Sequence, residues 1–335
     1  MVVHVGEAAR AGGHLVSDAL MDLIGEAGVA AAALLRGVEG FGARHRLRTD
    51  RLLSLSEDLP IVVVAVDLAT RMVPLASAAA DLVPRGLITL ERVVLAGAQL
   101  DDDTLVRRGG QAKVTVYCGR GELHEGRPVP TAVADAMRAA GLSGAIVLSG
   151  VDGVVLGERR RARVVSRNRG VPAMVVAVGA ADRVADALPL VRRIAGRHVV
   201  TLERVSILRR DGAPVGPLPT VPHRDDAGVE LWQRLTVTGG EQEGGRGPFH
   251  VALIRDLRAG HAAGATALRG EWGHTGDGAP HAERLLSVRH RAPVLVTVIE
   301  RPDAMLRLWP IVARATSAGG LVTCELVPTA HAVGG

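Results

Sequence analysis

GVAAAALLRGVEGFG (28–42), LPIVVVAVD (59–67) and GLITLERVVL (86–95) decide how this chain is read, because the same three-part passage returns twice. The second copy runs GLSGAIVLSGVDGVV (141–155), VPAMVVAV (171–178) and HVVTLERVSIL (198–208). The third runs HAAGATALRGEWGHT (261–275), APVLVTVIE (292–300) and GLVTCELV (320–327). Gly37, Gly150 and Gly270 head the turns at matching places, and Pro60, Pro172 and Pro293 open the strands that follow them. Self-similarity at such a period sets the architecture before any single motif does. One small fold is written three times.

The second copy predicts that fold most clearly. KVTVYCG (113–119) alternates like a strand, and VPTAVADAMRAA (129–140) puts Val129, Val133 and Met137 on one helical face. Pro128 suits a first helical turn, and Gly141 suits a left-handed helix end. GAIVLSG and VPAMVVAV read as strands. ADRVADALPLVRRIAG (181–196) reads as a helix with Val184, Leu188, Val191 and Ile194 inward, and HVVTLERVSIL closes the unit. Strand, helix, strand, strand, helix, strand is the ferredoxin-like order of an α+β fold, four antiparallel strands with two helices on one face. The strands are apolar at both parities (Ile61 to Val64; Val294 to Val296), so both sheet faces need cover. Three such sheets cover each other if they pack as an intrachain pseudo-trimer. The expected domains are 1–97, 113–210 and 230–329. The linkers at 98–112 and 211–229 are rich in Gly, Pro and charge.

Composition narrows the function. The chain has 335 residues, 47% hydrophobic and only 2% aromatic, with a formal net charge of +5. Cores must be aliphatic, and the shortage of aromatic rings argues against single-stranded nucleic-acid recognition. Every basic residue except Lys113 is arginine, which accounts for the high pI without a basic tail. Cys118 and Cys324 lie in apolar runs with no CxxC or CxxH spacing, so they read as buried thiols rather than zinc ligands. Met1 leads straight into a strand, and runs such as IVVVAV are too short to span a bilayer. A cytoplasmic protein is expected, a monomer or low-order oligomer without a membrane span or nucleic-acid partner.

GATALRGEWG (264–273) and LRGVEGFG (35–42) resemble the motif of the PII-like family known as domain of unknown function number 190, and GELHEGRPV (121–129) resembles that family's first loop. The resemblance covers nearly the whole chain. It implies a non-enzymatic signal-transduction protein whose units imitate a PII trimer. A small anionic ligand, an adenine nucleotide by analogy, would sit in the interdomain clefts, and the loops would meet a regulated protein target. The alternative is a scaffold or metal-responsive module without a nucleotide site. The lysine-bearing phosphate loop of PII proteins is absent from PRGLITL, AGRHVVTL and SAGGLVTC.

The candidate ligand residues are the glycine turns and the first basic residue beyond two of them. They comprise Gly37, Gly40, Phe41, Gly42 and Arg44; Gly144, Gly150, Gly153 and Arg159; and Gly264, Gly270 and Gly273. Closely spaced glycines let backbone amides approach an anion or a purine. Arg46, Arg48, Arg160, Arg161 and Arg163 extend the basic loops, and arginine clusters suit phosphate or carboxylate. His274 and His281, with Asp277, read as surface histidines rather than a metal site. No catalytic residues assemble. Glu91, Glu203 and Glu325 recur in the closing strands and are expected to pair with arginines between units.

Overall fold

The computed structural model describes residues 1–42, 47–49, 58–96, 109–162, 170–240, 248–276, 281–282 and 292–333. Copy 1 contains β1 (Val2–Gly6), α1 (Val16–Glu26), β2 (Ala31–Arg36), β3 (Glu39–Phe41), β4 (Pro60–Val66), α2 (Ala69–Leu82), β5 (Gly86–Thr89) and β6 (Val94–Leu95). Copy 2 contains β7 (Gln111–Gly119), α3 (Val129–Ala139), β8 (Gly144–Ser149), β9 (Asp152–Val155), β10 (Pro172–Ala180), α4 (Ala181–Ala195) and β11 (Val199–Arg210). Copy 3 contains β12 (Leu231–Gly240), α5 (Phe249–Ala259), β13 (Ala265–Arg269), β14 (Trp272–Thr275), β15 (Pro293–Glu300), α6 (Pro302–Ala315) and β16 (Leu321–Val333). Two-residue strands complete small hairpins beside these.

Within each copy four strands pair antiparallel in one order. It is β5–β1–β4–β2 in copy 1, β11–β7–β10–β8 in copy 2 and β16–β12–β15–β13 in copy 3. The helices pack on one face over a core of the expected aliphatic kind. Val129, Val133 and Met137 of α3 and Val184, Leu188 and Val191 of α4 lie in the copy 2 core, with Ile194 partly buried against it. Each such side chain contributes about 2 kcal/mol by leaving water. Gly141 ends α3 at φ 74°, in the left-handed region. Pro128 does not enter the helix. It is the extended residue before α3, and Pro130 occupies the first turn.

The opposite faces meet in one cluster drawn from all three copies: Ala33, Leu35 and Val62 with Ile146, Leu148 and Met174, and with Leu268 and Leu295. Apolar residues at both parities therefore serve two cores, one against the helices and one between the sheets. Ladders between copies then run the strands into a single curled sheet of twenty strands among the described residues.

The second linker is more than a tether. β11 runs on to Arg210 and turns into a hairpin with Ala213–Pro214. Gln233 Nε2 donates to Pro219 O at 2.8 Å, and Leu218 packs on the copy 3 core. The first linker, including Asp101 to Asp103, lies mostly outside the described residues.

Candidate functional site

The glycine turns are where the copies join. Each turn amide bonds its own proline carbonyl: Gly37 N to Pro60 O at 2.8 Å, Gly150 N to Pro172 O at 2.8 Å, Gly270 N to Pro293 O at 2.7 Å. The next residue donates to a different copy: Val38 N to Ala267 O at 2.9 Å, Val151 N to Leu34 O at 2.8 Å, Glu271 N to Val147 O at 2.9 Å. The chain then continues as a strand on that neighbour. β9 pairs with β2, β3 with β13, and β14 with β8. The three ladders link copy 2 to 1, 1 to 3 and 3 to 2, a complete cycle. Closing strands add a second cycle through β6–β11, β11–β16 and β16–β5.

This geometry supplies a steric reason for the glycines. A Cβ at Gly40 would lie 2.5 Å from Ala265 O, at Gly153 2.2 Å from Ala32 O, and at Gly273 2.8 Å from Ala145 O. Gly37, Gly150 and Gly270 are hemmed in by the proline rings and by the neighbouring copy, Gly144 by Leu321 and His274 O, and Gly264 by Phe41 O. Phe41 is 4% exposed and sits in the copy 3 core, not in a cleft wall; Val154 likewise enters the copy 1 core. Among the described residues, nothing lies within 4 Å of a Cβ added at Gly42, unlike the other candidate glycines.

Side chains reinforce the junctions. Arg159 pairs with Asp152 at 2.9 Å and with Asp22 on α1, while Arg161 pairs with Asp18 at 3.1 Å. The hydrogen bond to Asp152, ahead of the one to Asp22, holds the Arg159 guanidinium more firmly protonated than usual. Arg120 meets Glu271 at 2.6 Å between copies 2 and 3. Buried His250 and Glu39 approach to 3.8 Å between copies 3 and 1. Arg48 lies on a stem strand and pairs with Asp58 at 2.5 Å. Arg44, Arg46, Arg163 and Asp277, and the His281 side chain, lie outside the described residues. His274 is not a surface histidine. It is 1% exposed on β14, edge-on to Trp272, because β14 is sandwiched against copy 2.

The recurring glutamates meet at the centre. Arg234 holds Glu91 of copy 1 through two bonds of 2.9 and 2.7 Å and Glu325 of its own copy at 2.8 Å. Lys113 of copy 2 pairs with Glu203 at 3.0 Å and with Glu325. The expected pairing with an arginine of another unit is present for Glu91 alone; Glu325 meets the arginine of its own copy and the lysine of copy 2, and Glu203 meets only the lysine of its own copy. Burial alone would raise Glu91; Arg234, then Lys113, outweigh it and hold the carboxyl at about 2. The same cations lower Glu325 against burial. Glu203 is pushed up, by burial first and then by Glu325 and Glu91. His4 is lowered to about 4 by burial and then by Arg234. Lys113 and Arg234 carried a readable signal, each a lone cation in an apolar strand. Both buried thiols, Cys118 and Cys324, are pushed up to about 12 by burial, so neither is a reactive thiolate.

Residues 1–95, 111–207 and 232–329 match the family DUF190, described as uncharacterised ACR, COG1993. The chain belongs to the DUF190 family. All three copies of this DUF190 chain match, so the repeats are three family units in tandem. Among solved structures, aspartate kinase from Synechocystis is similar at 11% identity and a TM-score of 0.26, over 98% of this chain and 44% of that one. The chain thus spans less than half the length of that protein, and likeness at this level carries no argument. No group of three or more His, Cys, Asp or Glu among the described residues is placed to hold a metal ion. No helix there is long and apolar enough to cross a membrane.

Proposed function

We propose that this DUF190 chain is a non-enzymatic PII-like regulator, three ferredoxin-like units closed into an intrachain pseudo-trimer. It binds a small anionic ligand at the junctions between units and signals to a partner protein through the loops beyond them. One observation carries the reading. The strands that lock neighbouring copies together are the same strands from which the loops leave. Arg48–Thr49 returns beside β3, Glu158–Arg159 beside β9 and His281–Ala282 beside β14. A ligand that alters a junction therefore alters the stem of a loop.

The junction between copies 2 and 1 suits an anion. Arg159 and Arg161 bridge β9 to α1 through Asp22 and Asp18, and Arg160 is half exposed beside them. A phosphate competing with Asp18 and Asp22 would exchange the clamp for a ligand contact and free the stem, which makes it a switch by differential affinity. An adenine nucleotide is the first candidate, by family resemblance.

The test is thermal unfolding of the full chain with ATP, ADP, AMP, cyclic AMP and inorganic phosphate. A ligand well above its dissociation constant stabilises by about 1–3 kcal/mol. Arg161→Ala, at a partly exposed pair, should fold normally and lose the shift. Gly40→Val and Gly153→Val are poor probes of binding, since they strike the neighbouring backbone. Silence from every nucleotide and from phosphate would leave the junctions as packing and favour the scaffold reading.

A further inference from the structure

We propose that His274 is a proton-operated latch on the C-terminal end of β14, the strand from which the third loop leaves. This inference goes beyond the ligand reading above and does not depend on it.

Each junction strand places one side chain at the same register position on its neighbour. Phe41 stands opposite Ala265, Val154 opposite Ala32 and His274 opposite Ala145. Phe41 and Val154 join the aliphatic cores of copies 3 and 1. Copy 3 fills the matching place on copy 2 with an imidazole. It is 1% exposed, on a strand packed against α3.

The ring is held on one side only. Its Nδ1 lies 3.4 Å from the Gly276 carbonyl oxygen, and a carbonyl can only accept, so Nδ1 carries the proton. Nε2 is buried and has no hydrogen-bond partner among the described residues. Protonation would add an N–H at Nε2 with no acceptor to meet it, and a charge cut off from water.

The groups around the ring do not compensate that charge. From α3 come Arg138 and Asp135, and Asp135 already pairs with Arg127. β8, on one side of β14, carries no titratable residue. On the other side His281 stands opposite Gly273, one position from His274. Asp211 lies against Gly276 at the end of the strand. Burial is the chief cause that holds His274 below its usual 6.5; the Gly276 carbonyl and Asp135 work against it, and Arg138 works with it.

The closed form is therefore favoured above pH 6.5 and loses ground as pH falls below it. A charged imidazole reaches water by swinging away from Ala145 and giving up the Gly276 oxygen. Gly276, whose amide donates to Ser143 O at 2.8 Å, ties that end of β14 to copy 2. Glu271, whose amide donates to Val147 O at 2.9 Å, ties the other end and stays in place. A proton thus releases one end of the strand while the junction holds.

Amide hydrogen exchange of the full chain at pH 7 and pH 5, expressed as protection relative to the unfolded chain, tests this. Gly276 should lose about tenfold in protection at pH 5, with Glu271 unchanged. His274→Gln, neutral at both pH values, should abolish the loss, and so should His274→Phe, the residue copy 1 carries there. Arg138→Gln, which removes the cation on α3, should move the loss to higher pH. Equal Gly276 protection at both pH values in the unaltered protein overturns the proposal. So does a matching loss at Glu271, or an undiminished loss at Gly276 in both His274 variants.

Discussion

A methyl group added at Gly153 would lie 2.2 Å from the Ala32 carbonyl oxygen and 2.5 Å from the Pro172 ring, with rigid atoms on both sides. Gly153→Ala should therefore lose about 3 kcal/mol, while Gly42→Ala, with none of the described residues within 4 Å of its added Cβ, should be near neutral; urea unfolding reads both. The glycine spacing was legible in the sequence, but the body it admits was not. A bound phosphate and a neighbouring strand both demand a missing Cβ, and sequence spacing does not tell them apart. Phe41 shows the same ambiguity, since a ring in a glycine-rich turn can face a ligand or another unit's core. His4 sets a pH dependence of its own. Its folded value of about 4 lies below the unfolded 6.5, so the unfolded chain takes up a proton that the folded chain refuses. That contribution is complete above pH 6.5, is lost as pH falls towards 4, and amounts to about 3 kcal/mol. His4→Gln should flatten the stability profile between pH 4 and 6.5, and an unchanged slope would contradict the assignment.

At the scale of elements, helices and long strands followed from hydrophobic period, because a 3.6-residue stripe or a fully apolar run leaves few alternatives. The short strands β3, β9 and β14 did not. They hold three or four residues, carry glycine, and gain strand geometry only from a partner in another copy. Local propensity cannot see such a partner. The β9–α1 clamp is likewise a product of docking. Arg159→Ala would leave buried Asp152, 3% exposed, with Arg161 at 3.7 Å as its remaining cation. This should cost more than the 0–1 kcal/mol of an exposed pair, whereas Arg161→Ala should stay within that range. Equal losses from both would show that Asp152 does not depend on Arg159.

For the molecule as a whole, threefold recurrence fixed the number of units, and two-sided apolar strands required their inner faces to be covered. The central cluster shows what recurrence hides. Glu91, Glu203 and Glu325 are equivalent in sequence, yet Glu91 is held at about 2 while Glu203 is pushed up, because two cations serve three acids. Identical motifs become unequal sites once they share one interior. The central claim is that the copies form one interlocked body, so that no junction opens alone. Amide hydrogen exchange at Val38, Val151 and Glu271, whose N–H groups each donate to another copy, tests this most directly. The account predicts that all three exchange only with global unfolding, at the rate of Val63 and Val175 in the strand cores. Fast exchange at any one of them, with those core amides still protected, would contradict it.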